Sequence, residues 1–438
     1  MNPKHLYIET FGCQMNVNDS ERIISMMAEY GYTHTSRISE ADMILLNTCS
    51  VRGGAEEKVY NRLQNLNVLK KSRSGLLIGI GGCVAQHEGD VLLDRFPWVD
   101  LVFGTHNLHL LPEMVAAAEN GQRRSETAFI DNDQRLDLFP AGHSSHRYSR
   151  FVTIIQGCDN YCSYCIVPFV RGREISRRAA EIVHEIRQLA ATGVKEVVLL
   201  GQNVNSYGLN VADQPDFAQL IRMVADIDGI QRIRFTTSHP KDMSDELIAC
   251  FGDVEKLCGQ IQLPAQSGSN SVLERMNRGY TRETYLERIN ALKKVRPGIV
   301  VTGDMIVGFP GETEQDFLQT LAMIEEVRYA DLYSFAYSPR PGTKAADLID
   351  DISKELKLER LERLLVLQRR LTLEINKSFT GSIQSVLVEG LGKRPGQVSG
   401  RADSGKTVNF MGNPGLVGSF VNVRISAAYQ NSLMGELL

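Results

Sequence analysis

Cys158, Cys162 and Cys165 stand in the segment GCDNYCSYC, separated by three residues and then by two. Thiols this close together have metal-ligand spacing, so the question is which metal accepts only three. Structural zinc is closed by four ligands, usually as two Cys-x-x-Cys pairs, and no second pair lies nearby. Catalytic zinc can take three protein ligands but favours histidine or carboxylate mixtures. A 4Fe–4S cluster has four irons, so three thiolates leave one iron open to a substrate or cofactor. The fourth ligand is therefore expected to be a small molecule.

Cys13, Cys49 and Cys83 form a second set that no spacing pattern flags. Each follows a strand-like run: YIETFGC, ILLNTC and IGIGGC. In an open parallel sheet, ligands gather at the carboxyl ends of strands. Three cysteines at three equivalent strand ends can converge on one point, which predicts a second three-thiolate cluster. Cys250 and Cys258 follow no such rule and are expected in the core or on helices.

The elements that must position these residues follow from periodicity. Residues 5–120 alternate strand-like runs (HLYIETFG, ADMILLNTC, GLLIGIGGC, VDLVFGT) with helical stretches, which predicts a parallel sheet covered by helices. Residues 121–149 are polar and irregular and read as a linker. A second series begins at RFVTIIQGC and recurs at KEVVLLGQN, QRIRFTTSH, GQIQLPAQS, GIVVTGDMIVG and ADLYSFAYS. Six βα units are too few for an eight-fold barrel and suit an open partial one. One Leu-rich helix is predicted from Ser353 to Ser378, its apolar face carrying Leu361, Leu364, Leu371 and Ile375. After it the chain turns Gly-rich with short strands, the pattern of a small antiparallel β-barrel. This segment has six basic residues (Lys377, Lys393, Arg394, Arg401, Lys406 and Arg424) against Glu389, Asp403 and Glu436. A basic barrel on an acidic body is either a nucleic-acid grip or a solvated surface.

Composition sets the outer limits. The chain has 438 residues, 43% hydrophobic and 23% charged, with a net charge of −4. That is ordinary globular composition for two or three domains. The N-terminal stretch lacks the apolar core of a signal peptide, and no apolar run reaches the roughly 18 residues of a membrane helix. A cytoplasmic protein with reduced thiols and no membrane contact is expected.

The Cys-x3-Cys-x2-Cys spacing at the end of the first strand of a six-unit βα series resembles the radical S-adenosylmethionine superfamily. The resemblance implies that the amino and carboxylate groups of S-adenosylmethionine chelate the open iron. It also implies that Gly201, Gln202 and Asn203, ending the second barrel strand, lie at the methionine amino group. Gly308, Gly311 and Glu312, ending the fifth, would lie beside the adenine. From the residues alone, the latter stretch is equally a turn feeding a helix capped at Thr313.

Over essentially the whole chain, TFGCQMNVNDSE, ADMILLNTCSVRGGAEEK, GGCVAQ, GCDNYCSYCIVPFVRGREISR, GQNVNSYG, QSGSNSVLERMNRGYT and YSPRPGTKAA resemble the methylthiotransferases. That family implies an α/β architecture in three parts. A methylthiotransferase domain with a parallel sheet spans 1–145, a partial (βα)6 barrel of the radical type spans 146–376, and a TRAM RNA-binding β-barrel spans 377–438. GCQMN and GQNVNSYG resemble the branch that modifies isopentenyladenosine in tRNA. Gln262 departs from the pattern, since many relatives carry His there.

The implied reaction is methylthiolation of carbon 2 of N6-isopentenyladenosine at position 37, beside the anticodon. It uses two S-adenosylmethionine molecules and two 4Fe–4S clusters. That C–H bond has no useful acidity, so a radical is required and a cofactor must supply it. The cluster on Cys158, Cys162 and Cys165 would cleave S-adenosylmethionine, and the one on Cys13, Cys49 and Cys83 would supply or carry sulfur. The implied partners are a tRNA anticodon loop bearing isopentenyladenosine and a reducing donor such as flavodoxin or ferredoxin, with the enzyme a monomer. Tyr161, Tyr164 and Phe169 either wall the pocket or pack in the core. The alternatives are another methylthiotransferase substrate (threonylcarbamoyladenosine in tRNA or a ribosomal protein aspartate) and an iron–sulfur electron carrier with an RNA-binding barrel.

Overall fold

A computed structural model describes residues 4–50, 55–130 and 148–438. The chain folds as two compact units. One takes the described residues of Met1–Ser145 with Gln156–Tyr161 and Cys165–Ile175; the other takes those of His146–Ile155 with Cys162–Tyr164 and Ser176–Leu438.

In the first unit, β1 (Lys4–Thr10), β2 (Tyr32–His34), β3 (Met43–Thr48), β4 (Leu77–Gly82), β5 (Leu101–Phe103) and β6 (Arg124–Glu126) form one sheet. Its order is β2-β1-β3-β4-β5-β6, and every neighbouring pair is parallel. Period-two alternation sends side chains to two cores. Leu6, Met43, Leu45 and Leu77 pack with Ile23, Met27, Leu111 and Met114, from helices Gln14–Glu29 and Leu111–Glu119. Ile44, Leu46, Ile78 and Ile80 pack on the other face with Leu63 and Leu66 of helix Ala55–Ser72. The sheet has two more strands than the pattern predicts. β2 and β6 are three-residue edges, and β6 lies inside the stretch read as linker.

In the second unit, six parallel strands follow one another in space as they do in sequence. They are β7 (Ser149–Thr153), β10 (Glu196–Leu200), β11 (Arg232–Phe235), β12 (Gln260–Gln262), β13 (Val300–Val307) and β14 (Asp331–Ala336). The two-residue strands β8 (Ile155–Gln156) and β9 (Ile175–Ser176) flank the cysteine loop in sequence. Two three-stranded sheets, β11-β10-β7 and β12-β13-β14, are joined by a bridge between Ile233 and Leu257. This is the open partial barrel. On β13 the burial alternates: Val301, Gly303, Met305 and Val307 are buried, while Thr302, Asp304 and Ile306 are less so. The Leu-rich helix runs from Lys354 to Ser378 with Ser353 as its cap, and buries Leu364 and Leu371.

The C-terminal residues close a five-stranded barrel of β15 (Ile383–Leu391), β16 (Gln397–Ala402), β17 (Thr407–Met411), β18 (Phe420–Ala428) and β19 (Leu433–Leu437). Its core is Val386, Val388, Val398, Val408, Phe410, Val423, Ile425 and Leu433. It is bolted to the partial barrel by buried charge. Arg232 donates to the Arg401 and Ser385 carbonyls at 2.9 and 3.1 Å, and Arg234 to those of Ala402 and Asp403 at 2.6 and 2.9 Å. Glu196 is the common anion, 3.0 Å from Arg234 and 3.6 Å from Arg232. Asp403 pairs with Arg296 at 3.2 Å and accepts from the Gly259 amide. Two of the basic residues are spoken for here. Lys406 donates to the Ala330 carbonyl and Arg401 pairs with Glu389, whereas Lys393, Arg394 and Arg424 are exposed.

Candidate active site

In the first unit the three cysteines lie where the sequence places them, at the ends of adjacent strands. Cys13 follows β1, Cys49 follows β3 and Cys83 follows β4. The first helix starts at Gln14, and Cys13 is itself the cap residue. Asn16 Oδ1 accepts from both the amide and the thiol of Cys13, each at 3.4 Å. Asn16 Nδ2 donates to the Thr48 carbonyl at 2.9 Å, and Asn47 Nδ2 returns a bond to the Asn16 carbonyl at 2.8 Å. This fully buried asparagine pair ties the end of β1 to the end of β3.

The close approach demands glycine. A Cβ on Gly12 (φ +122°) would meet Cys49 Cβ at 2.3 Å, and one on Gly82 (φ +92°) would meet the Thr48 carbonyl at the same distance. The Cys49 side chain, followed by Arg171 and the amides of the first helical turn, pulls the Cys13 thiol from its ordinary value near 9 to about 6 against the effect of burial. Burial pushes Cys83 the other way, partly offset by Arg171.

Arg171 is the residue that sequence reasoning missed. It ends the short helix Val167–Arg171, six positions after Cys165, and is 3% exposed. It pairs with buried Asp19 at 2.8 Å and hydrogen-bonds the Cys83 side chain. The helix that carries it is fastened beside Cys83. Thr105 Oγ1 donates to the Val170 carbonyl at 2.6 Å, His106 Nε2 bonds the Arg171 carbonyl at 3.0 Å, and Ile166 and Val170 pack on Cys83. Thiolate character, close glycines and a buried cation fit an anionic iron–sulfur group. Cys13 and Cys49 are in hydrogen-bond contact; among the described residues, no three Cys, His, Asp or Glu side chains stand together at metal-ligating distance.

In the second unit, Cys162 is buried and receives a hydrogen bond from Arg278 at 3.3 Å. Arg278 is itself buried and also reaches Tyr164 Oη, Tyr280 Oη and the Pro264 carbonyl. A guanidinium on a cysteine sulfur again suits a thiolate ligand. Tyr164 is half-buried against Val272, Met276 and Phe309, while Tyr161 and Phe169, both of the first unit, are 40% and 46% exposed. Those two aromatics are not core packing.

The strand-end motifs resolve into distinct roles. Gly201 and Gly308 are glycines because Ile155 and Lys357 occupy the space a Cβ would need. Gln202 is half-buried. Asn203 is buried; its Nδ2 donates to Asp242 at 2.7 Å and its Oδ1 has no partner among the described residues. The Glu312 carboxylate is enclosed, accepting from the Gly308 amide and from Arg360, both at 2.9 Å. Burial pushes its acidity down, raising its pKa. The Gly311 amide bonds Asp351, and Thr313 caps the following helix in a capping box with Asp316. The turn feeding a capped helix is thus what the structure shows for that stretch. Gln262 braces the lumen: its Oε1 accepts from the Thr237 amide and Thr236 hydroxyl, and its Nε2 donates to Asp304. His239, after β11, is driven by burial and by the nearby Arg278 and Lys241 charges to about 2, so it is neutral.

Three family models match stretches of the chain. Residues 5–104 match a model described as Uncharacterized protein family UPF0004, 152–324 the Radical SAM superfamily, and 377–438 the TRAM domain. Among solved structures, the radical S-adenosylmethionine methyltransferase TsrM of Kitasatospora setae shares the fold. Its TM-score is 0.56 at 14% identity, covering 87% of this chain and 78% of that one. The cobalamin-dependent S-adenosylmethionine radical enzyme OxsB does so at 0.52 and 13%, covering 84% and 56%. Two curated relatives are named tRNA-2-methylthio-N(6)-dimethylallyladenosine synthase. The one from Pelobacter propionicus is 66% identical over 438 residues, all of both chains, and the one from Geobacter metallireducens is 62% identical over 434, covering 99% and 98%. No helix among the described residues is long and apolar enough to cross a membrane. The chain belongs to the family of those synthases and is a radical S-adenosylmethionine methylthiotransferase.

Proposed function

We propose that this enzyme methylthiolates carbon 2 of N6-isopentenyladenosine at position 37 of tRNA, consuming two S-adenosylmethionine molecules with two 4Fe–4S clusters. Cys158, Cys162 and Cys165 hold one cluster, and Cys13, Cys49 and Cys83 hold the other. The observation that carries the reading is the second cysteine set: three thiols at three adjacent strand ends, with a buried guanidinium beside them. An electron carrier has no use for such an arrangement in addition to a radical-type barrel. When bound, the clusters supply the electron that cleaves S-adenosylmethionine, generating a radical able to take hydrogen from carbon 2, and a site for the incoming sulfur.

The chain's own residues do the positioning. Asn16 and Asn47 lock the strand ends that carry Cys13 and Cys49. Arg171 and Arg278 hold positive charge against the Cys83 and Cys162 side chains. Lys393, Arg394 and Arg424 are exposed cations of the C-terminal barrel that can meet RNA phosphates. Unpaired anticodon-loop bases can be splayed out for modification. The relatives' names support the prenylated base as substrate, with a reducing donor of the flavodoxin or ferredoxin kind and a cytoplasmic location following from that role.

The test is nucleoside analysis of tRNA from cells lacking this protein, with and without its restoration, together with turnover of anticodon-loop RNAs. Burying a five-carbon prenyl group contributes on the order of 2–3 kcal/mol. RNA bearing isopentenyladenosine should therefore exceed plain adenosine by about 10- to 200-fold. Preferential turnover of threonylcarbamoyladenosine RNA, or of a ribosomal protein, would assign the chain to another branch.

A further inference from the structure

Two aromatic side chains stand exposed at the open edge of the partial barrel. Among the described residues β14 pairs with β13 alone, so it ends its sheet. Its side chains alternate between two faces. Leu332 belongs to the core shared with Ile324 and Leu371 of the covering helices, whereas Tyr333 and Phe335 are 49% and 37% exposed on the opposite face. Parallel pairing sets Tyr333 beside Asp304 and Phe335 beside Ile306, at the less buried positions of β13. A strand face left to water is ordinarily polar, and an edge strand is ordinarily guarded by charge. Two aromatic rings about 7 Å apart along such a strand mark a surface with an occupant.

Both ends of this strand are tied to other parts of the same unit. Before it, the Ala330 carbonyl accepts from Lys406 of the C-terminal barrel at 3.1 Å. Burial lowers the Lys406 pKa, and the nearby Asp331 carboxylate offsets part of that effect. After it comes YSPRPGTKAA, at 337–346. Buried Tyr337 donates its hydroxyl to the Ala345 carbonyl at 2.8 Å, and Thr343 Oγ1 donates to the Arg340 carbonyl at 2.7 Å. The Ala345 amide bonds the Ser163 carbonyl at 2.7 Å, one residue past Cys162. The motif therefore carries Arg340 and the exposed Lys344 between the end of β14 and the cysteine loop. The six residues of β14 cover about 20 Å from one tie toward the other.

Chemistry narrows the occupant. Open aromatic faces with cations beyond both ends of the strand suit unpaired nucleotides, because every base has a π-face and every phosphate needs positive charge. A duplex would keep its base faces hidden. The carboxylates on this face are already met: Asp331 lies beside Lys406, and Asp304 accepts from Gln262 Nε2 at 3.2 Å. We propose that Tyr333 and Phe335 form a stacking platform for the unpaired bases of the anticodon loop, holding it between the C-terminal barrel and the cysteine loop. This rests on the reading that tRNA is the substrate, and it names the residues that receive the loop.

The experiment is equilibrium binding of three RNAs to the reconstituted holoenzyme. They are an anticodon stem–loop bearing isopentenyladenosine, the same stem–loop with plain adenosine, and the stem as a duplex without its loop. Tyr333→Ala and Phe335→Ala should each weaken both stem–loops by about 5- to 150-fold, the range for losing one base–aromatic stack. Duplex affinity and the salt slope should stay as in the wild type, since no phosphate contact is removed. Leucine at either position restores bulk without a π-face and should stay weak, whereas Tyr333→Trp and Phe335→Trp should bind as the wild type does. If an alanine variant fails to load its clusters, the leucine and tryptophan variants carry the comparison. Unchanged stem–loop affinity overturns the assignment, as does full recovery with leucine or equal weakening of the duplex. Weakening confined to the prenylated stem–loop would make this face a prenyl pocket and overturn it too. A wild-type enzyme that binds neither stem–loop would overturn the tRNA reading instead.

Discussion

Arg171→Met isolates the charge that links the cysteine loop's downstream segment to the second cysteine set. The Arg171–Asp19 pair is 2.8 Å long with side chains 3% and 6% exposed, so solvent screens it little. At an effective dielectric constant of about 20 and about 4 Å between charge centres, the attraction is about 4 kcal/mol. Removing one partner of a buried pair costs about 3–5 kcal/mol, because the other charge stays buried and uncompensated. The single tryptophan, Trp98, lies in the same unit and anchors its indole N–H on the Leu63 carbonyl, so its fluorescence reports this unit's unfolding. With a urea slope of about 1–3 kcal/mol per M, the midpoint of the iron-free protein should fall by about 1–5 M. Adding Asp19→Asn removes the stranded anion and should restore most of that loss. Arg171→Lys keeps the charge without the planar guanidinium and should fall between. A midpoint shift equivalent to less than about 1 kcal/mol, the range of an exposed pair, would refute the reasoning, as would failure of the double variant to recover.

Three further outcomes follow from the geometry. Cys162→Ala should abolish S-adenosylmethionine cleavage, whereas Cys49→Ala should retain much of it and lose methylthiolation; equal loss of cleavage in a folded Cys49→Ala enzyme would contradict the division of labour. In iron-free protein, alkylation mapped by mass spectrometry should reach Cys13 before buried Cys49 and Cys83, and its rate should rise through pH about 6; a midpoint near the ordinary 9 would show that the neighbouring groups do not act on it. Arg234→Leu should weaken tRNA binding without changing its salt slope, since this arginine touches the barrel's backbone, while Lys393→Ala should flatten the slope by about 0.7–0.9. Reversal of those two signatures would move the RNA contact from Lys393 to the docking network.

What the sequence disclosed and what it withheld divide along physical lines. Strand-end cysteines, the capped turn at Thr313 and the long helix were legible because period, cap and spacing are local properties. β2 and β6 were not, because three-residue edges draw their order from pairing with a neighbour rather than from propensity. Arg171 and Arg278 were hidden for a different reason. Their partners Asp19 and Cys162 lie 152 and 116 residues away, and an arginine in a polar-looking stretch carries no mark of burial. The basic C-terminal segment was read as one charge cluster, yet Lys406 and Arg401 are occupied by docking and pairing, which only the fold distinguishes.

The arginines that bolt the C-terminal barrel in place also change what kind of instrument that barrel is. A module on a flexible tether searches a volume, and its contribution follows effective concentration. Here the joint is set by Arg232, Arg234 and Arg296 on one side and by a 25-residue helix of about 37 Å on the other. The barrel is a fixed jaw of a caliper. An RNA seated on Lys393 and Arg394 would meet the strand ends of the partial barrel at one span and one angle, with little ordering left to do on binding. Selection among tRNAs could then be exercised by the length and bend of the anticodon arm, measured as by a gauge, before any base is read.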